Sequence, residues 1–188
     1  TNNLHDVFVR DLLTDTTALV SVNVNGMSGN RESYSPSLSA DGQGVLFHSR
    51  ATDLAVGSSA SFLDNLYWRD LVANVTYPVT AYTSVAPGGT LPAAMTSDGR
   101  YIALGSPTTS WYVWDTQLHA RVYTNTAAAP LSGVTISQDG NRIAGSAAGN
   151  LFVVDRSVSS SNLISSSADQ PGLSGDGRFI TFRTTSAL

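Results

Sequence analysis

Two sets of aspartates recur along the chain, and a recurrent carboxylate is the first place to look for acid–base or metal chemistry. Asp41, Asp98, Asp139 and Asp176 each precede a glycine. Asp11, Asp70, Asp115 and Asp155 each close a short aromatic or β-branched run: "DVFVRD", "NLYWRD", "WYVWD" and "NLFVVD". An aspartate in an Asp-Gly turn accepts backbone hydrogen bonds, so a turn role accounts for the first set without any substrate. The second set reads as a strand-terminal mark whose members bind backbone N–H groups or pair with Arg10, Arg69 or Arg156.

Other reactive types are sparse. His5, His48 and His119 are the three histidines, and no two stand at metal-ligand spacing. A zinc site needs three or four convergent nitrogen or sulfur ligands, and there is no cysteine. No Gly-x-Ser-x-Gly elbow occurs. Glu32 is the single glutamate and lysine is absent, which is thin material for proton transfer. No catalytic residue and no cofactor are therefore expected. Trp68, Trp111 and Trp114, with Tyr67 and Tyr112, fall on strand segments and are expected to pack. Tyr34, Phe62, Tyr82 and Trp111 lie nearer loops and are the candidate ligand-binding aromatics of a rim. "NVT" at 74–76 is a glycosylation sequon.

These residues must be positioned by short strands. "SLSADGQGVLFHSR" has near-copies in "MTSDGRYIALGS", "ISQDGNRIAGSA" and "LSGDGRFITFRT". Asp-Gly between two apolar runs is a hairpin signal, because glycine accepts the positive φ of the turn. The runs are too short for helices, and no amphipathic helix is evident. The two aspartate marks keep step through four units. Four units in 188 residues put each near the roughly 40–50 residues of a propeller blade. The expected architecture is all-β: a β-propeller of four four-stranded antiparallel blades, spanning 25–81, 82–125, 126–169, and 170–188 joined with 1–24. The last blade would be shared by the two ends, which removes free sheet edges. Both ends fall within loops, so part of a larger propeller, or a second chain completing the ring, is the competing expectation.

The copies resemble the TolB-like, WD-repeat-like β-propeller family. The resemblance lies in "SPSLSADGQGVLFHSRATDL" and "DVFVRDLLTDTTALVSV", with Pro36, Pro92 and Pro171 at the expected first-strand place. The third copy has Leu131 or Ser132 there, and Gln43 and Asn141 stand at or near the usual basic position. The resemblance implies a propeller in a periplasmic, secreted or surface setting, and little about chemistry, because one fold hosts many functions. Related repeats carry an Asp-x-Asn-Gly-x-x-Asp loop able to hold calcium. In "TNNLHD" Asn2 and Asp6 fit that pattern, and the leading Asp would precede residue 1.

Ten arginines against fourteen acidic residues give a net charge of −4. Without a basic cluster, neither nucleic acid nor an anionic membrane is an expected partner. No apolar run reaches the roughly 18–20 residues of a membrane span. The cysteine-free and lysine-free composition suits an extracellular or periplasmic bacterial protein. The expected function is a non-catalytic binding or scaffold propeller with a protein or glycan ligand and a capacity for self-association. The alternative is the propeller of a glycosidase- or lactonase-type enzyme, or the gate of a peptidase.

Overall fold

The computed structural model describes residues 2–58, 62–80 and 91–185. Every element among the described residues is a strand, and the chain divides into two compact units, Thr1–Val85 and Ala86–Leu188.

The first unit opens with a two-stranded antiparallel sheet, β1 (Phe8–Asp11) and β2 (Thr16–Leu19). A four-stranded antiparallel sheet follows, built from β3 (Ser33–Leu38), β4 (Gly44–Ser49), β5 (Asn65–Asp70) and β6 (Val75–Pro78) in sequential order. Within this sheet each strand pairs with its neighbour in sequence, β3–β4 and β5–β6 across tight turns and β4–β5 across the longer segment 50–64. Val7 and Val20 pack with Val45, Phe47 and Tyr67 in one cluster that also takes Ala51 and Leu54 from the loop after β4. Phe47 stands opposite Tyr67 in the β4–β5 register, with ring centroids 5.8 Å apart. The Tyr67 hydroxyl donates to the Ala51 carbonyl at 3.0 Å, which satisfies its polar end inside the core.

The second unit repeats the plan. β7 (Ala93–Met95), β8 (Tyr101–Gly105), β9 (Ser110–Asp115) and β10 (Ala120–Thr126) form one four-stranded antiparallel sheet. β11 (Gly133–Ile136), β12 (Arg142–Ala147), β13 (Asn150–Asp155) and β14 (Ser160–Ser165) form the next. β15 (Ala168–Leu173) and β16 (Ile180–Thr184) form a two-stranded sheet. β11 lies against β7 and β8, and β15 lies against β11 and β12, so successive sheets stack face to face through their first strands. Trp111, Val113, Leu131, Ile136, Ile143 and Val154 form the core between them.

The Asp-Gly pairs fall where the repeats place them, between the first and second strands of each sheet: β3–β4, β7–β8, β11–β12 and β15–β16. The aspartate-closed runs become β1, β5, β9 and β13, each followed by a tight turn into the next strand. β4 differs from simple alternation, since all six of its residues are buried. An inner strand covered on both faces has no solvent side, so His48 and Ser49 are inside despite their polarity.

Candidate functional site

Each Asp-Gly hairpin is closed by the same three-part clasp. In the first, the Ser39 hydroxyl donates to Asp41 Oδ1 at 2.6 Å and accepts from the Gly44 N–H at 2.9 Å. Asp41 Oδ1 also accepts from the Gln43 N–H at 3.0 Å. Thr96 and Asp98 repeat the arrangement with the Tyr101 and Arg100 N–H groups. Ser137 and Asp139 do so with Arg142 and Asn141, and Ser174 and Asp176 with Phe179 and Arg178. A hydroxyl that donates and accepts at once, beside a carboxylate that accepts twice, satisfies the inner N–H groups of a turn with no room for a longer loop. The hydroxyl bond is the largest cause holding Asp41, Asp139 and Asp176 below the ordinary carboxylate range.

The second aspartate set caps the turns leaving the third strands. Asp11 Oδ1 accepts from the Leu13 and Thr14 N–H groups, and Asp70 Oδ1 from Val72 and Ala73. Asp115 Oδ1 accepts from Gln117 and Leu118, and Asp155 Oδ1 from Ser157. All eight recurrent carboxylates are thus engaged in turns. Glu32 is paired with Arg50 at 2.7 Å.

The histidines remain separate. His48 Nδ1 lies 3.3 Å from Asp64 Oδ1 while its ring stacks on Tyr34 at 5.9 Å. The His119 ring leans on Trp114 at 6.2 Å, and the His5 carbonyl accepts from the Ser33 N–H. Among the described residues no three His, Asp or Glu side chains gather as a metal site would require. Asn2 and Asp6 each have protein partners. The Asn2 amide donates to the Gly29 carbonyl and its Oδ1 accepts from the Leu4 N–H, while Asp6 Oδ1 accepts from the buried Ser21 hydroxyl at 2.8 Å.

The aromatics expected at a rim separate in the same way. Phe62 is exposed and carries the Arg31 guanidinium 4.3 Å above its ring. Tyr34 is half-buried against His48. Trp111 is 1% exposed and sits in the core, 5.5 Å from Tyr123 and 6.1 Å from Phe152. Tyr82 lies outside the described residues.

Concave features lie among the described residues. One, of about 630 Å³, lies in the first unit between the Val22–Val24 segment, the Leu54–Val56 loop and the face of β6, with Arg69 and Asn74 in its wall. A second, about 390 Å³, is walled by Arg100, Tyr101, Tyr123, Asn141 and Arg156. There Arg100 and Arg156 both lie over the Tyr101 ring, at 5.1 and 4.9 Å. A third, about 380 Å³, has Trp111 and Phe152 among its apolar lining and Asn125, Asn150 and Ser161 as polar lining.

Against known proteins, no family model and no curated protein matches the chain. Among solved structures, TolB from Acinetobacter baumannii superposes with a TM-score of 0.59 at 14% identity, over 97% of this chain and 44% of that one. The fold is a TolB-like β-propeller fold. Hydrazine synthase from Kuenenia stuttgartiensis overlaps 77% of this chain and 40% of its own at 17% identity, TM-score 0.49. U3-55K overlaps 68% and 37% at 16% identity, TM-score 0.47. The chain spans less than half the length of each of these proteins. In this TolB-like arrangement the four-stranded sheets are the blades.

The cavity beside Arg69 was not anticipated from the sequence. The signal was there in two aligned segments, "RDLLTDTT" from Arg10 and "RDLVANVT" from Arg69, which differ at the residue that faces the arginine.

Proposed function

We propose that the chain is a non-catalytic binding or scaffold propeller, working in an extracellular or periplasmic setting, that presents its loops and blade faces to a protein or glycan ligand. One observation carries the reading: the eight recurrent carboxylates are engaged as turn fasteners, and Glu32 is held by Arg50. A hydrolase needs two or three titratable groups meeting around a substrate, and carboxylates committed to backbone N–H groups serve the fold instead. The fold supports a binding role by analogy alone. The cysteine-free, lysine-free composition supports the setting.

The experiment pairs two assays on the intact chain. A chromogenic panel of esters, lactones, glycosides and peptides is expected to stay blank, and an array of glycans and immobilised proteins is expected to show saturable retention. Reproducible turnover that disappears in Glu32→Gln, or in an Asp→Asn variant of the turns, would overturn the proposal.

A further inference from the structure

Arg10 and Arg69 occupy the same place in successive copies, one residue before the aspartate that closes the third strand. Arg10 Nη1 donates to Thr17 Oγ1 at 2.6 Å, and its Nη2 donates to the Asp15 carboxylate. Arg69 repeats both contacts, Nη1 to Thr76 Oγ1 at 3.1 Å and Nη2 to the side-chain oxygen of Asn74. The turn residues share one left-handed backbone, φ 60° at Asp15 and 59° at Asn74. The single electrostatic difference is that the copy at 74 has an amide where the copy at 15 has a carboxylate.

That difference falls at the buried site. Arg10 is half exposed and paired, whereas Arg69 is 6% exposed and has no carboxylate within ion-pair distance among the described residues. Its Nε–H is buried without an acceptor. Neighbouring Asp70 spends its Oδ1 on the Val72 and Ala73 N–H groups. Burial, only partly offset by Asp70, pushes the guanidinium below its ordinary range. A buried charge without a counter-charge costs several kcal/mol, and position 74, unlike position 15, supplies none.

The cavity of about 630 Å³ opens beside this arginine. Its size is that of a small-molecule site. Val22, Val24, Leu54, Val56, Val75 and Pro78 make its body apolar. Asn23, Thr76 and Tyr77 add polar lining, and Thr76 bonds the arginine directly. We infer that this cavity is a receptor site for a small organic monocarboxylate with an apolar body, whose carboxylate supplies beside Arg69 the negative charge that Asp15 supplies beside Arg10. Arginine presents a planar pair of donors that matches a carboxylate, and an apolar body fills the rest of the space without stranding polar groups. The site is distinct from any macromolecular ligand of the propeller, and its test uses a small molecule alone.

The test is calorimetric titration of the full chain with 3-phenylpropanoate, with neutral 3-phenylpropanamide and with inorganic phosphate. The carboxylate is expected to bind at least tenfold more tightly than either. Asn74→Asp restores the charge pair of the first copy on a backbone that Asp15 already adopts, so it is expected to fold, to unfold at a higher temperature than the parent, and to bind the carboxylate at least tenfold more weakly. Arg69→Met is expected to lose binding. No binding of the carboxylate, equal affinity for acid and amide, tighter binding of phosphate, or undiminished binding by Asn74→Asp would each overturn the assignment.

Discussion

Arg100 and Asp115 face each other across the start of β8 and the end of β9, with Arg100 Nε 3.1 Å from both carboxylate oxygens and Nη2 2.9 Å from Oδ2. Asp115 is 2% exposed and also caps the turn through the Gln117 and Leu118 N–H groups. Burial by itself would raise the Asp115 pKa, but the Arg100 and backbone hydrogen bonds outweigh it and the net direction is down. The same pair in the next blade, Arg142 and Asp155, is longer at 3.3 Å and more exposed.

Burial therefore decides what each pair contributes. Asp115→Ala leaves two turn N–H groups without their acceptor and Arg100 without its partner, and is expected to cost about 3 kcal/mol. Asp115→Asn keeps an acceptor oxygen and should cost less, about 1–2 kcal/mol. Arg142→Gln removes the exposed pair with Asp155 and the bond from Arg142 Nη1 to the Gly177 carbonyl, and should cost about 1 kcal/mol, still less than the loss at Asp115. Urea denaturation of the three variants measures the order, and equal losses at both sites would contradict it.

The repeat was legible because its chemistry is local. An Asp-Gly turn needs nothing from the rest of the chain, so Asp41, Asp98, Asp139 and Asp176 could be placed on hairpins from the repeat, while the hydroxyls of Ser39, Thr96, Ser137 and Ser174 that complete each clasp emerge from the structure. Packing was less legible. Trp111, one residue into β9, carries both a packing expectation and a rim expectation from the sequence; it lies in the core, where β9 pairs with both β8 and β10. Arg69 was hidden for another reason, since its isolation depends on burial and on the Asp-to-Asn difference at position 74. The joining of 170–188 with 1–24 into one blade stays a proposal drawn from the order of the repeats.

Acid should unfold the protein through its turns. Asp11, Asp41, Asp115, Asp139, Asp155 and Asp176 all sit below the ordinary value of 3.8 when folded. The unfolded chain then takes up protons first as the pH falls, so stability is fully present above the unfolded carboxylate range and is lost on descending through the lower folded values. The urea midpoint is expected to be nearly flat from pH 7 to about pH 5 and to drop steeply below about pH 4. A midpoint unchanged down to pH 3 would contradict the clasps.

Two glycines in one hairpin separate steric from backbone causes. A Cβ on Gly44 would meet Trp68 Cη2 and Cζ2 at 2.0 Å, with the ring itself buried. Gly44→Ala is expected to cost about 2–3 kcal/mol by forcing that ring to move. Gly42 has open space around it but φ +72°, so Gly42→Ala should cost about 1–2 kcal/mol through the left-handed backbone alone. Thermal unfolding ranks them, and a larger loss at Gly42 would contradict the packing of Trp68 against β4.

A hydroxyl–carboxylate clasp closes each Asp-Gly hairpin, and amide hydrogen exchange reads it at the atoms concerned. On the intact, labelled chain the Gly44, Tyr101 and Arg142 amides, each donating to a turn hydroxyl at 2.9 Å, are expected among the slowly exchanging set. Ser137→Ala, at a fully buried hydroxyl, is expected to speed exchange at Arg142 and Asn141 at least tenfold while leaving Gly44 unchanged. Exchange of all three amides at the rate of an open turn in the parent protein would contradict the account.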